Sequence, residues 1–139
     1  MRKNDPVTNV MTRDVVSLDL TDPISKARQL FESKRIHHLP VVSGEELVGI
    51  LSWTDLLRIS FGEFGNQDAR SLDAVLDHTY ALKDVMQTTP TTIPENATVR
   101  DAAQILSTHD FHSLPVVNGS KLSGIVTSTD LIRYLVEQY

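Results

Sequence analysis

The chain of 139 residues contains no cysteine. Disulfides and thiolate metal sites are therefore excluded, and nothing points to an oxidising compartment. No apolar run approaches the length of a membrane span. The first residues, Met1-Arg2-Lys3-Asn4-Asp5-Pro6, lack the apolar stretch of a signal peptide. Positive charge is also scarce: 13 Lys and Arg stand against 18 Asp and Glu, for a net charge of −5. That balance disfavours nucleic acid and anionic membrane surfaces as partners. The expectation is a cytoplasmic protein with no nucleic-acid and no membrane partner. Its hydrophobic fraction of 40% suffices for a core.

What the chain does contain, it contains twice. Val10-Met11 aligns without a gap on Val85-Met86, and Leu39-Pro40-Val41-Val42 on Leu114-Pro115-Val116-Val117. Gly49-Ile50 aligns on Gly124-Ile125, and Thr54-Asp55-Leu56 on Thr129-Asp130-Leu131. An internal repeat of this kind is two copies of one supersecondary unit, packed together because neither buries its apolar face alone. Pseudo-symmetry then creates two like clefts, so a paired binding module is the first expectation.

Each copy reads as short helix, strand, helix, strand, turn, strand, helix. In the first, Val15 to Leu18 is a β-branched run. Asp22-Pro23 reads as an N-cap followed by proline at the first helical position. Ile24, Ala27 and Phe31 then share a helical face that ends near Ser33-Lys34. Leu39 to Val42 and Leu47 to Leu51 are strands about a turn at Ser43 to Glu46. In the second, Thr91 to Ile93 is the short strand, and Thr98-Val99-Arg100-Asp101 resembles a capping box. Val99, Ala102 and Leu106 repeat the apolar face. Asn118-Gly119 predicts a type I′ hairpin, which needs positive φ at both central residues. Ser60 to Ala81 is a structured linker. Phe61 to Asn66 is expected to break the preceding helix, and Ser71 to Leu76 to form a short one.

The strongest chemical signal is Gly49-Ile50-Leu51-Ser52-Trp53-Thr54-Asp55-Leu56 and its twin Gly124-Ile125-Val126-Thr127-Ser128-Thr129-Asp130-Leu131. Both run from a strand into a helix and place two hydroxyls and a carboxylate at the entrance. One reading is structural: Ser52 and Thr127 cap the helices, and Asp55 and Asp130 close capping boxes near the positive end of the dipole. The other is functional. A helix N-terminus with hydroxyls suits a phosphate, and a carboxylate suits the two donors of a ribose diol. His37 and His112 stand at equivalent positions before the Pro-Val-Val strands, and their repetition favours a shared role. His109 and His112 have the spacing of metal ligands, but no acidic or cysteine partner set accompanies them, so no metal is expected. No nucleophilic triad, paired-carboxylate motif or phosphate loop stands out, so no enzyme is expected either.

These pieces resemble a tandem pair of cystathionine β-synthase (CBS) domains, a Bateman module. The resemblance rests on Val-Met before the first strand, His-x-Leu-Pro-Val-Val, and Gly-Ile-x-Ser/Thr-x-Thr-Asp-Leu, all in order and twice. It covers the chain from about Val7 to about Val136, with one repeat over 7–60, a linker with a short helix over 61–81, and a second repeat over 82–136. It implies an α+β fold of two pseudo-symmetric βαββα repeats packed sheet to sheet. It further implies adenosine-containing ligands in the clefts between them: AMP, ADP or ATP, with S-adenosylmethionine or NAD as alternatives.

Carried over residue by residue, the resemblance implies one site around Asp55 with Ile50, Ser52 and Thr54, joined by Thr89, Phe111, His112 and His37. It implies a second around Asp130 with Ile125, Thr127, Thr129 and His112, joined by Asp14, Ile36 and His37. Asp14 stands where the family often has threonine, as at Thr89. An extra carboxylate repels a phosphate, so the Asp55 site is expected to bind better. The pre-Pro segments carry His38 and Ser113 where many nucleotide binders have arginine. The family also implies a homodimer through the helices bearing Leu56, Leu57 and Ile59, and Leu131, Ile132 and Leu135. With no effector domain attached, regulation would act in trans on another protein. The competing expectation is a ligand-free dimerisation scaffold whose aspartates only cap helices.

Overall fold

A computed structural model of the protein describes residues 4–63 and 69–139. It is a mixed α+β fold in which the chain divides into two compact units. One unit comprises Val16–Gly44 and the described part of Val48–Thr89. The other comprises the described part of Met1–Val15, Glu45–Leu47 and Pro90–Tyr139.

In the unit built around Val16–Gly44, strand β1 (Leu18–Asp19) runs parallel to β2 (His38–Ser43). Helix α1 (Ile24–Lys34) supplies the crossover that parallel strands require. Its apolar face is the one the spacing predicts, since Ile24, Ala27 and Phe31 are all buried. Arg35 ends it in the left-handed conformation, at φ 52°. Strand β3 (Glu46–Ser52) neighbours β2 and leads into α2 (Trp53–Glu63). Two further helices follow, α3 (Ala69–Thr79) and α4 (Leu82–Val85). The core gathers Leu18, Ile24, Phe31, Leu39, Val41, Leu51, Leu56, Leu76 and Leu82. Trp53 packs against it, its ring meeting Phe31 edge-on at 5.6 Å. Helix α3 is fastened to α1 by polar contacts: the Arg28 guanidinium donates to both oxygens of Asp73, and Ser25 Oγ donates to Asp77 at 2.6 Å.

The other unit repeats the plan. A 3-10 turn at Val7–Asn9 is followed, far along the chain, by β4 (Ile93–Pro94), α5 (Val99–Ser107), β5 (Ser113–Asn118), β6 (Lys121–Thr127) and α6 (Ser128–Glu137). β4 is parallel to β5, and β5 antiparallel to β6. The first residues of β3 belong here, with Glu46 opposite Lys121. The core is Val7, Met11, Ile93, Ala102, Leu106, Leu114, Val116 and Val126. The capping box at Thr98 is complete: Thr98 Oγ1 accepts from the Asp101 N–H at 3.1 Å, and Asp101 Oδ2 accepts from the Thr98 N–H at 2.9 Å.

Each unit therefore takes its opening segment from the other sequence repeat. Val7 and Met11 lie in the core with Leu114 and Val126, and Leu82 in the core with Leu39 and Leu51. Backbone pairing fixes both segments. Gln87 exchanges two hydrogen bonds with Ile50 at 2.9 and 3.0 Å, and Thr12 two with Ile125 at 2.8 and 3.0 Å. Gly49 and Gly124 explain why glycine recurs there. A Cβ on Gly49 would lie 2.6 Å from Met86 Sδ, and one on Gly124 2.7 Å from Met11 Sδ.

Several local expectations are corrected. The turn between β5 and β6 is Gly119-Ser120, because Asn118 pairs with Lys121. Only Gly119 has positive φ, at 65°, which is the requirement of a II′ turn and not of I′. The N-cap of α1 is Pro23, one residue later than expected. Asp22 turns back instead, accepting from the Asp19 N–H at 2.8 Å and pairing with Lys26 at 3.1 Å. The short strands begin later than the β-branched runs do, since Val15 and Val16 precede β1. Phe61, Gly62 and Glu63 continue α2 and do not break it, whereas Phe64, Gly65 and Asn66 lie outside the described residues. The linker helix expected over Ser71 to Leu76 is the longer α3.

Candidate functional site

The two strand–helix junctions have the same construction. At the first, Ser52 Oγ accepts from the Asp55 N–H at 3.0 Å, and Asp55 Oδ2 accepts from the Ser52 N–H at 2.9 Å. At the second, Thr127 Oγ1 accepts from the Asp130 N–H at 3.1 Å, and Asp130 Oδ2 accepts from the Thr127 N–H at 2.9 Å. These are reciprocal capping boxes, which satisfy two of the donors a helix N-terminus leaves unpaired. The structural reading of the motif is thus correct as geometry.

Capping does not use up the aspartates. A carboxylate has about four acceptor positions, and the box takes one, on Oδ2. Both carboxylates are half-buried. Asp55 Oδ1 is 3.5 Å from Arg58 Nη1, whose side chain is 71% exposed. Thr54 and Thr129, one residue before each aspartate, are exposed on the first helical turn.

The histidines are tied to the same junctions by backbone. The carbonyl of His37 accepts from the Trp53 N–H at 2.9 Å, and that of His112 from the Ser128 N–H at 2.9 Å. His37 and His112 are both exposed, and Ile36 and Phe111 before them are half-buried. Ile50 and Ile125, two residues before the caps, are buried. The structure thus brings Ile50, Ser52, Thr54, Asp55, Ile36 and His37 into one unit. Thr89 joins them, two residues beyond the Gln87–Ile50 pairing. Ile125, Thr127, Thr129, Asp130, Phe111 and His112 lie in the other, together with Asp14, two residues beyond the Thr12–Ile125 pairing. His109 is engaged locally: its ring stacks on Phe111 at 4.8 Å, and its Nδ1 is 2.7 Å from the Ile105 carbonyl oxygen.

Two features lie outside the sequence reading. Arg58 and Arg133 follow each aspartate by three residues, in the repeated pattern Asp-Leu-x-Arg. Ser113, which pairs with Thr127 across β5 and β6, is 4% exposed, and its Oγ has no hydrogen-bond partner among the described residues. No sequence signal separates such a hydroxyl from an ordinary strand serine.

Comparison with known proteins agrees with this construction. The CBS domain model matches residues 7–62 and 82–137, so the chain belongs to the CBS domain family as a tandem pair. The uncharacterized protein MJ1404 of Methanocaldococcus jannaschii is 32% identical over 144 residues, 97% of this chain and 33% of that protein. The inosine-5'-monophosphate dehydrogenase of Korarchaeum cryptofilum is 32% identical over 120 residues, 86% of this chain and 22% of the enzyme. The chain thus spans a third or less of these two relatives. Among solved structures, CBSX2 in complex with AMP superposes with a TM-score of 0.80 at 27% identity, covering 96% of this chain and 97% of that one. Among the described residues, no helix is long and apolar enough to cross a membrane.

Proposed function

We propose that the protein is a regulatory module that binds an adenosine-containing nucleotide at its strand–helix junctions and acts on another protein. The observation that carries this reading is the doubled junction. Each presents a half-buried carboxylate with acceptor capacity left on Oδ1, beside two hydroxyls at a helix N-terminus. The carboxylates Asp55 and Asp130 accept the ribose diol. The hydroxyls Ser52 with Thr54, and Thr127 with Thr129, face the ribose or phosphate, while Ile50, Ile125, Ile36 and Phe111 supply apolar surface for the base. Thr89, His37 and His112 contribute polar contacts. The AMP complex of CBSX2 supports an adenosine ligand. The matching hydroxyls and carboxylate in both junctions suit binding better than an asymmetric catalytic step.

Asparagine substitution separates gripping from capping, because its side-chain oxygen still accepts the cap bond while its amide cannot accept a second diol donor. Calorimetric titration with AMP, ADP and ATP is expected to show binding that Asp55→Asn weakens more than Asp130→Asn, since Asp14 stands in the latter's unit. Unchanged affinity in both variants would sink the reading. It would leave the scaffold alternative, which the complete capping boxes favour.

A homodimer is part of the proposal. Leu56 is fully buried, and Ile59 and Leu131 pack on their own cores, so these complete the units. On α6, however, Ile132 is 62% exposed and Val136 67%. A second copy covers that face, and sedimentation equilibrium showing only monomer at high concentration would reject it.

A further inference from the structure

We infer that Arg58 is a specificity-determining residue at the Asp55 junction, which makes it select a phosphorylated adenosine ligand over an unphosphorylated one. This inference rests on the adenosine reading above. The observation behind it is the division of labour on one carboxylate. Asp55 Oδ2 is committed to the Ser52 N–H at 2.9 Å, and Oδ1 faces Arg58 Nη1 at 3.5 Å. The oxygen that a ribose diol needs is therefore the oxygen against which a guanidinium rests.

Which ligand resolves that competition follows from charge. An ion pair with a 71% exposed arginine is weak, and its long side chain is readily drawn away. A bare nucleoside that donates its diol to Oδ1 takes the acceptor from Arg58 and offers nothing back. A nucleoside phosphate offers a dianion within the span of the same side chain. Arginine meets phosphate as a planar fork making two parallel charge-assisted hydrogen bonds. Position on the helix favours the exchange, because residues three apart share a face and helical side chains lean towards the N-terminus. There the hydroxyls of Ser52 and Thr54 stand. Arg58 thus supplies a guanidinium that the positions directly after His37 and His112, held by His38 and Ser113, do not.

The test is calorimetric titration of the full chain with adenosine, AMP and ATP. All variants carry Asp130→Asn, so that only the Asp55 junction keeps its carboxylate. Arg58→Gln is expected to weaken AMP and ATP about tenfold, the scale of a hydrogen bond to a charged group, and to leave adenosine unchanged or slightly tighter. Arg58→Lys should recover part of the loss, as a point charge without the fork. Unchanged AMP affinity in Arg58→Gln would overturn the inference. An equal loss for adenosine and AMP would overturn it too, since that marks a structural role. Failure of the wild-type chain to bind adenosine and AMP alike is a distinct result: it removes the adenosine reading and this inference with it.

Discussion

Gly124 and Thr12 approach so closely that a methyl group on the glycine would lie 2.7 Å from the threonine's carbonyl oxygen. That oxygen accepts from the Ile125 N–H at 3.0 Å, so it cannot retreat without loosening the pairing that holds the opening segment. Gly124→Ala is expected to cost about 1–3 kcal/mol, the range of an overpacked core. Gly49→Ala should cost less, because its nearest obstacle is the flexible thioether of Met86 at 2.6 Å and the Gln87 carbonyl stands farther off, at 2.9 Å. Urea denaturation of the two variants measures the order.

The aspartates of the junctions are expected to separate stability from binding. Asp55→Ala removes a side chain that accepts at the start of α2 and should cost about 1 kcal/mol. Asp55→Asn should cost a few tenths at most, while ligand affinity falls in both. Thermal melts of ligand-free protein, read beside the titrations, check this.

Ser113 carries a buried hydroxyl without a hydrogen-bond partner among the described residues. An unpaired buried polar group costs about 1–3 kcal/mol relative to its paired state. Ser113→Ala is therefore expected to raise the stability of the ligand-free protein by about 1 kcal/mol. Chemical denaturation reads the gain, and a loss of similar size would mean that the hydroxyl is satisfied in solution.

Acid should act through the cap of α5. The Thr98 backbone N–H, and then its side chain, hold the Asp101 carboxyl below its ordinary value. A carboxylate with a depressed pKa stabilises the fold above its unfolded value, about 4, and loses that contribution as pH falls through the folded value. Stability should therefore decline below about pH 4, and less steeply in Asp101→Asn. Melting temperatures from pH 2 to pH 6 give the comparison.

Helix α3 depends on the ion pair with α1. Arg28 and Asp73 side chains are only 15% and 16% exposed, so the pair is better shielded than a surface one. Asp73→Ala leaves Arg28 with Glu32 alone, at 2.8 Å, and should cost about 1–2 kcal/mol. Hydrogen exchange should rise first over Ala69–Thr79.

Much of this architecture is legible in the sequence because the chain states it twice. The apolar faces of α1 and α5 follow from 3.6-residue spacing, and each buries the residues the spacing picks out. The capping boxes at Ser52, Thr98 and Thr127 follow from side-chain chemistry at fixed offsets. Local signals failed where a neighbour decided the outcome. Asp22 was taken from its capping position by the Asp19 N–H and Lys26, and the turn after Asn118 was shifted by its pairing with Lys121. The valines before β1 have strand propensity but precede the strand itself.

At the site, the caps and the histidine positions were readable, but their shared geometry was not. No spacing rule shows that the His37 and His112 carbonyls bond the first N–H groups of α2 and α6. Nor does residue type reveal that Arg58 leans on the same carboxylate that caps α2. The glycine-methionine coincidence had only a repeat to recommend it until the close approach gave it a cause.

The exchange of opening segments has a practical consequence for anyone dissecting the molecule. A fragment cut at the boundaries of the second repeat, 82–137, would leave behind Val7 and Met11, two side chains of its own hydrophobic interior. It would also carry Leu82 away from the interior it normally fills. Such a fragment is expected to be unstable alone, or to pair with a second copy whose segment 82–86 stands in for the missing one, so half of this sequence is not half of its fold.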